Sequence, residues 1–243
     1  MVPTQMLLIG ALVVFTTGCV STMHARDVQQ HDSISEHRAL LTDVKDDRAA
    51  LKGYRNPIVN WRAYDKILLE PITIGDDFAS TLKPEQRDDL KKLSEYFYTK
   101  LQDNLSKKYQ LVENPTAGTM RYRVSITHAE QSWTTLTVLT KAVWQLQAAN
   151  TLWALTRGKP AFVGEVTAEF TITDALTGEL LEVGVDRRVG GQNLLDREVF
   201  NSWGDVKNSL NYWADASVYR LCGTRGDANC VEPKASWMDI LHF

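Results

Sequence analysis

The sequence predicts an α+β fold, a single domain in which a mainly antiparallel sheet is covered by two or three amphipathic helices. Two stretches place apolar residues three and four positions apart, which is the pattern of a helix with one buried face. Several shorter stretches alternate apolar and polar residues, as half-buried strands do. The order of these stretches is strand, helix, strands, helix, which is typical of helices laid against a sheet. The 243 residues, 44% of them hydrophobic and 23% charged, suffice for one such domain.

The first half of this domain contains a strand followed by a helix. Ile67 and Leu69 mark the strand, and Pro71 predicts its end because proline cannot donate a ladder hydrogen bond. Beyond Pro71, Ile72 and Ile74 continue the apolar pattern. The helix is predicted to begin at Pro84 and to bury one stripe, which comprises Leu90, Leu93, Phe97, Leu101 and Leu105.

The second half contains further strands and a second long helix. Tyr122, Val124 and Ile126 alternate with polar residues and predict a half-buried strand. Two more strands are joined at Gly178, where a turn with positive φ is expected. Ala168, Phe170 and Ile172 are predicted to share one face of the first strand. Leu181, Val183 and Val185 are predicted as the apolar residues of the second strand, which returns along the first. The helix stripe comprises Trp203, Val206, Leu210, Trp213, Ser217 and Leu221.

The N-terminus predicts export and lipidation. The apolar run from Leu7 to Thr17 is shorter than the roughly 20 residues of a membrane-spanning helix and fits a secretory signal. Residues 16–19, Thr-Thr-Gly-Cys, resemble a bacterial lipobox, which implies that Cys19 is acylated with palmitate and becomes the new N-terminus. Thr16 stands where leucine is usual, and the first six residues carry no Lys or Arg. A plain cleaved signal and a buried N-terminal segment are the alternatives.

The predicted organisation has four parts. Residues 1–18 form the signal peptide, 19–56 the acylated cysteine and a polar tether, 57–222 the α+β domain, and 223–243 a C-terminal tail. Cys222 and Cys230 enclose a short Gly-rich stretch, so an oxidising compartment favours a disulfide between them, with two free thiols as the alternative. Too few ligands lie nearby for zinc, and no metal site or cofactor is predicted.

The stretch between Glu130 and Glu165 contains no other acidic residue. Within it, segment 133–156 is expected to form a core helix over the sheet, since aromatic stripes at helical spacing usually face a core. The alternative is a membrane or partner surface, because tryptophans and cations suit a lipid headgroup boundary. The candidate surface residues are Trp133, Trp144, Trp153, Lys141 and Arg157.

Other candidates have simpler interpretations. His128 is expected to be a structural histidine at a strand end, rather than a general base, because no nucleophile is paired with it. Arg187 and Arg188 could bind an anion or an acidic partner, or lie in a solvated turn paired with carboxylates. His24, His31 and His37 fall in the predicted tether and are expected to be solvated. The net charge of -3 argues against nucleic acid, and local signatures of hydrolases and phosphate loops are absent from the sequence.

Several stretches in this order resemble a bacterial lipoprotein family, domain of unknown function 3313. They are Gly18-Cys19, "YDKILLEP", "FVGEVTAEFTITDALTGELL", "VDRRVGG" and "SWGDV". The resemblance implies a location and an approximate fold, but no activity. Val20 after Cys19 implies export to the outer membrane of a Gram-negative bacterium, facing the periplasm.

The functional expectation is therefore a non-enzymatic interaction module for envelope assembly or maintenance. Its partners are expected to be the membrane, through Cys19, and an envelope protein that the sequence does not identify; a homo-oligomer stays open. The alternative is an auxiliary lipoprotein of envelope lipid transport or secretion that binds lipid or a transporter through residues 133–156. An unrecognised hydrolase is a third, less favoured hypothesis.

Overall fold

The computed structural model describes residues 22–25, 28, 32–46, 48–132, 164–190 and 203–233. Within these ranges the chain forms a nine-stranded sheet, three α-helices and two 3-10 helices. The strands are β1 Thr22–His24, β2 Thr42–Asp43, β3 Lys52–Arg55, β4 Lys66–Leu69, β5 Thr73–Ile74, β6 Gln110–Leu111, β7 Thr119–Glu130, β8 Glu165–Asp174 and β9 Leu180–Gly190. The helices are α1 Asp76–Thr81, α2 Pro84–Leu105 and α3 Gly204–Arg225, and the 3-10 helices are Asp32–Leu40 and Trp61–Ala63.

The sheet is mixed, which corrects the expectation of a mainly antiparallel one. Its strand order is β2-β3-β9-β8-β7-β4-β6, with β1 also beside β9 and β5 also beside β7. Strands β1, β2, β3, β7, β8 and β9 pair antiparallel, whereas β4 runs parallel to β6 and β7, and β5 runs parallel to β7. The parallel pairs arise because α2 carries the chain back before β6 and β7 begin, as a crossover connection does.

Helices α2 and α3 lie side by side on one face of the sheet and run in the same direction. Residues early in α2 meet residues at the start of α3, and residues late in α2 meet residues further along α3. The bonded pairs are Trp203 with Asp89, Tyr96 with Asn211, and Asn104 with Asp215. Both predicted stripes are confirmed, since every one of their residues is buried.

Strand β9 turns its polar side toward α3. In β8, Ala168, Phe170 and Ile172 lie in the core beneath the helices, as predicted. The register pairs Phe170 with Gly184, so Val183 and Val185 face the opposite side of the sheet and form a small second core with Val28 and Ile34. Val183 and Val185, predicted as apolar residues of the returning strand, are therefore buried in this second core. The helix-facing positions of β9 are Glu182, Gly184, Asp186 and Arg188.

The segment predicted as a polar tether, residues 19–56, contributes three strands to the sheet. Strands β1 and β3 both pair with β9, and β2 pairs with β3. Backbone hydrogen bonds, rather than an apolar pattern, hold these short strands, which is why composition alone indicated a tether. The tether prediction is corrected for the described residues, because the described sheet includes strands between Thr22 and residue 57.

Two turn predictions are confirmed. Gly178 has φ +77° in the turn between β8 and β9, where a residue with a side chain would be strained. Pro71 lies between β4 and β5 and interrupts the apolar run there. At the start of the β8–β9 turn, the Asp174 carboxylate accepts hydrogen bonds from the backbone N–H groups of Leu176 and Thr177.

Candidate functional site

The ends of several strands and the start of α3 meet at one end of the sheet. Thr22 pairs with Gly190, and Glu130 pairs with Glu165, so β7 and β9 end where β1 and β8 begin. The N–H of Gly190 donates to the carbonyl oxygen of Gly164 at 2.8 Å. Helix α3 begins here as well. We call this region, defined by Thr22, Gly164, Gly190 and Asp205, the Thr22 end.

Asp205, in the first turn of α3, fastens the Thr22 end together. Its buried carboxylate accepts a hydrogen bond of 2.8 Å from the backbone N–H of Gly164. The same carboxylate lies directly over Gly190, where an added Cβ would be 2.2 Å from the Asp205 Cγ. Only glycine therefore fits at residue 190 with this carboxylate in place, and β8, β9 and α3 are held in one arrangement.

Thr22 is locked into the same region, although it stands only three residues after Cys19. Its side chain is 1% exposed, and its hydroxyl oxygen lies 2.9 Å from the Ser209 hydroxyl oxygen. The Nε of Arg188 donates to the Thr22 hydroxyl at 3.3 Å. Ser209 in turn donates to the Asp205 carbonyl oxygen at 3.0 Å. These polar contacts compensate the burial of the Thr22 hydroxyl.

The charged residues of β9 continue this network beneath α3. The guanidinium carbon of Arg188 lies 3.7 Å from the centroid of the Tyr212 ring, a cation–π contact. The Asp186 carboxylate accepts a hydrogen bond of 2.6 Å from the indole N–H of Trp213. Arg188 Nη1 lies 3.8 Å from Asp186 Oδ2. The charges on this side of β9 are thus engaged within the fold.

The arginines predicted to bind an anion pair with carboxylates of the protein. Arg187 donates to the buried Glu165, and Arg188 pairs with Asp186. Pairing with nearby carboxylates, the alternative interpretation, is confirmed for both. The solvated turn is not: both residues lie within β9, and Arg188 is only 3% exposed.

An open groove of about 620 Å³ lies between β3 and the C-terminal half of α3. Arg55 Nη2 and Arg220 Nη2 lie 3.2 and 3.6 Å from Glu182 Oε1, and the Arg220 guanidinium also stacks over Phe170. Asp46 lines the same groove, so its four charged side chains balance in number. The lining favours neither an anionic nor a cationic ligand.

His128 meets two carboxylates, which the sequence did not reveal. One ligand atom each from His128, Glu130 and Glu165 lies within 4.8 Å of the others, a spacing compatible with a metal ion. Glu165 also binds Arg187, and the His128 ring packs 5.4 Å from Phe78 between centroids. Ion pairing and ring packing therefore account for this group without a ligand. His128 and Glu165 are 37 positions apart, and only the β7–β8 register brings them together.

Two titratable groups elsewhere have shifted pKa values. Burial opposes ionisation of Glu70, but hydrogen bonds from Arg123 and Arg121 outweigh it and hold the pKa of Glu70 below its ordinary 4.5. Burial, together with a hydrogen bond to Asp174, raises the pKa of Tyr64 to about 12. Both groups support turns or edges of the sheet at a distance from the Thr22 end.

The remaining predicted residues are the two cysteines, the histidines near the N-terminus and several residues that the structure does not describe. Cys222 and Cys230 form the predicted disulfide, with an S–S distance of 2.03 Å and 5.7 Å between their Cα atoms. The bond ties the chain after α3 to the last turns of that helix. Lying outside the described residues are Cys19, Trp133, Trp144, Trp153, Lys141, Arg157 and His31. His24 falls in β1, and His37 Nε2 is 3.3 Å from a Glu36 carboxylate oxygen in the 3-10 helix.

Among the described helices, each is too short or too polar to cross a bilayer. The profile of the family described as Protein of unknown function (DUF3313) matches residues 29–217, which is more than half of the chain. No curated protein matches the sequence.

Two solved structures resemble the fold, both of the PelC dodecamer from Paraburkholderia phytofirmans. A variant in space group C2 has a TM-score of 0.37 and 10% identity, and a second structure in space group P6 has a TM-score of 0.35 and 8% identity. Each comparison covers 73% of this chain and 96% of the other. At TM-scores below 0.5, these likenesses support no conclusion about function.

Proposed function

The chain belongs to the DUF3313 family, and for this member we propose the role of a lipoprotein anchored in the outer membrane and facing the periplasm. Its folded body serves as a non-enzymatic interaction module in assembly or maintenance of the cell envelope. Acyl chains on Cys19 provide the anchor, and Val20 directs export to the outer membrane. No membrane-spanning element is needed, because several acyl chains together hold a protein in a bilayer.

One observation carries this proposal: the first described strand, β1, begins three residues after Cys19. Cleavage before Cys19 removes none of the described elements, because the first of them is β1 at Thr22. The signal peptide therefore stands entirely upstream of the described sheet. The acylated residue would stand close to the buried Thr22, with Val20 and Ser21 as the only residues between.

The arrangement of the described polar groups supports an interaction module rather than an enzyme. Buried charged side chains at the Thr22 end and beneath α3 contact neutral groups of neighbouring elements: Asp205 contacts Gly164, Arg188 contacts Tyr212, and Asp186 contacts Trp213. A catalytic base needs access to a reacting group in a cleft. These side chains instead hold strands and helix together. The disulfide adds support for an oxidising compartment such as the periplasm.

Metabolic labelling tests the anchor directly. Cells that express the wild-type protein with a palmitate analogue are expected to label it, and the Cys19→Ala variant is expected to stay unlabelled in the unprocessed form. Cys230→Ser is the matched control, because it removes a cysteine but leaves the acylation site. Equal labelling of wild type and Cys19→Ala, or labelling of neither, would contradict the proposal.

A second candidate function is lipid or transporter binding through residues 133–156. The observation that favours it is topological: Ser132 and Gly164, which flank residues 133–163, both lie at the Thr22 end, beside the proposed anchor. A photoreactive amino acid at Trp144 or Trp153 is expected to capture lipid or a transporter subunit in cells. The same probe at the exposed Leu176, in the β8–β9 turn, is the control. If neither lipid nor a transporter subunit is captured from residues 144 and 153, the core-helix interpretation is favoured.

A further inference from the structure

We infer that the Thr22 end is the surface of the domain that lies against the membrane lipids, and that the β8–β9 turn points away from them. This orientation rests on the proposed acylation of Cys19 and adds to it which side of the body meets the bilayer. The occupant of the surface is the lipid headgroup layer of the membrane that holds the acyl chains.

The short linker limits how far the Thr22 end can move from the membrane. Three residue steps separate Cys19 from Thr22, and a fully extended chain spans at most about 3.6 Å per residue, so the two Cα atoms are at most about 11 Å apart. Thr22 is not free to peel away and lengthen the linker, because its hydroxyl is buried against Ser209 and Arg188. The headgroup region therefore lies within reach of this end of the sheet.

The long axis of the sheet sets the position of the opposite end. Strand β9 runs 11 residues from Leu180 to Gly190, and at about 3.3 Å per residue it extends roughly 35 Å. Its first residue adjoins the turn that contains Leu176 and Gly178, and its last residue pairs with Thr22. The turn is thus the part of β8 and β9 most distant from the anchor.

Exposed charge on the helix layer disfavours a side-on contact with lipid. The outer flank of the helix layer is covered by charged side chains, for which contact with lipid would require desolvation. Beyond residue 90, the exposed charged residues of α2 are Lys91, Lys92, Glu95 and Asp103.

Fluorescence quenching by lipids tests the orientation. The full-length acylated protein is placed in vesicles of phosphatidylethanolamine and phosphatidylglycerol that contain a nitroxide on the lipid headgroup. A fluorophore is attached to one introduced cysteine: Gln131→Cys near the Thr22 end, Leu176→Cys in the distant turn, or Lys92→Cys on the flank. We expect loss of most emission at residue 131 and little loss at residues 92 and 176. Quenching at residue 92 or 176 that equals or exceeds that at residue 131 would overturn the inference.

A linker variant provides the matched control. Insertion of 20 Gly and Ser residues between Ser21 and Thr22 lets the body move by roughly 25 Å through random-coil scaling. Quenching at residue 131 is expected to fall toward the value at residue 176, and an unchanged pattern would overturn the role of the short linker. Flotation of each variant with vesicles is measured in parallel. Failure to float contradicts acylation and hence the proposed function, whereas flotation with side-on quenching contradicts the orientation alone.

Discussion

The hydroxyl oxygens of Thr22 and Ser209 lie 2.9 Å apart, although 187 residues separate them in the chain. This contact joins the first strand of the sheet to the last helix. Both side chains are buried, so loss of either partner removes one hydrogen bond from a polar group in a place that water does not reach. The first described residues after the proposed anchor are thus part of the packed structure.

Ser209→Ala is expected to destabilise the protein by about 1–3 kcal/mol, because the buried Thr22 hydroxyl loses a partner. Urea unfolding followed by circular dichroism measures the change. Thr99→Ala is the control, because Thr99 also bonds a carbonyl one helical turn earlier but lies exposed on α2. A loss for Ser209→Ala no larger than for Thr99→Ala would show that the contact contributes no stability.

Gly190→Ala is expected to destabilise the protein by about 1–3 kcal/mol or to displace Asp205, because the new methyl group would overlap the Asp205 carboxylate. Gly223→Ala is the matched control in α3, where no atom lies within 4 Å of the added Cβ. That change is expected to stabilise the helix by about 0.5–1 kcal/mol. Thermal unfolding of both variants gives the comparison, and equal effects would contradict the close packing at Gly190.

Reduction of the Cys222–Cys230 bond is expected to cost about 2–3 kcal/mol on the chain-entropy account of a short loop. Cys230→Ser should give the same loss without reductant and become insensitive to it. Thermal unfolding with and without dithiothreitol provides the measurement. An identical unfolding temperature for oxidised and reduced wild type would contradict a stabilising role.

Glu70 is expected to make stability depend on pH. Its pKa in the folded state lies below the ordinary 4.5, so its pairing with Arg121 and Arg123 stabilises the fold above pH 4.5 and is lost as the pH falls through the lowered value. Glu70→Gln should therefore be less stable than wild type at pH 7, and the difference should shrink near pH 3. Glu95→Gln, at an exposed position, is the control, and urea unfolding at both pH values is the measurement. A difference that is constant with pH would contradict the pairing.

Local patterns predicted the long elements of the fold well. The buried stripes of α2 and α3 repeat at helical spacing, and the turn at Gly178 requires a conformation that few other residues adopt. The disulfide was also predictable, because its two cysteines are close in sequence and the loop between them is flexible. In each of these cases the physical cause lies within a short stretch of chain.

Features that depend on partners distant in sequence were not predictable in this way. The direction of β4 relative to β7 depends on the crossover through α2, and the faces of β9 depend on its register with β8. Thr22, His24 and their neighbours read as a polar tether because backbone pairing with β9 leaves no signal in side-chain polarity. The Thr22 end itself assembles residues from four separate parts of the chain, so only the folded structure reveals it.

The parallel course of α2 and α3 polarises the molecule electrically. The peptide dipoles of each helix place roughly half an elementary positive charge at its N-terminus, and both N-termini lie toward the Thr22 end. Two such dipoles side by side add rather than cancel, as they would in an antiparallel pair. Asp205 and Glu85, in the first turns of these helices, place negative charge against the positive poles. The N-terminal poles of both helices therefore face the same side as the proposed lipid anchor, with a carboxylate close to each.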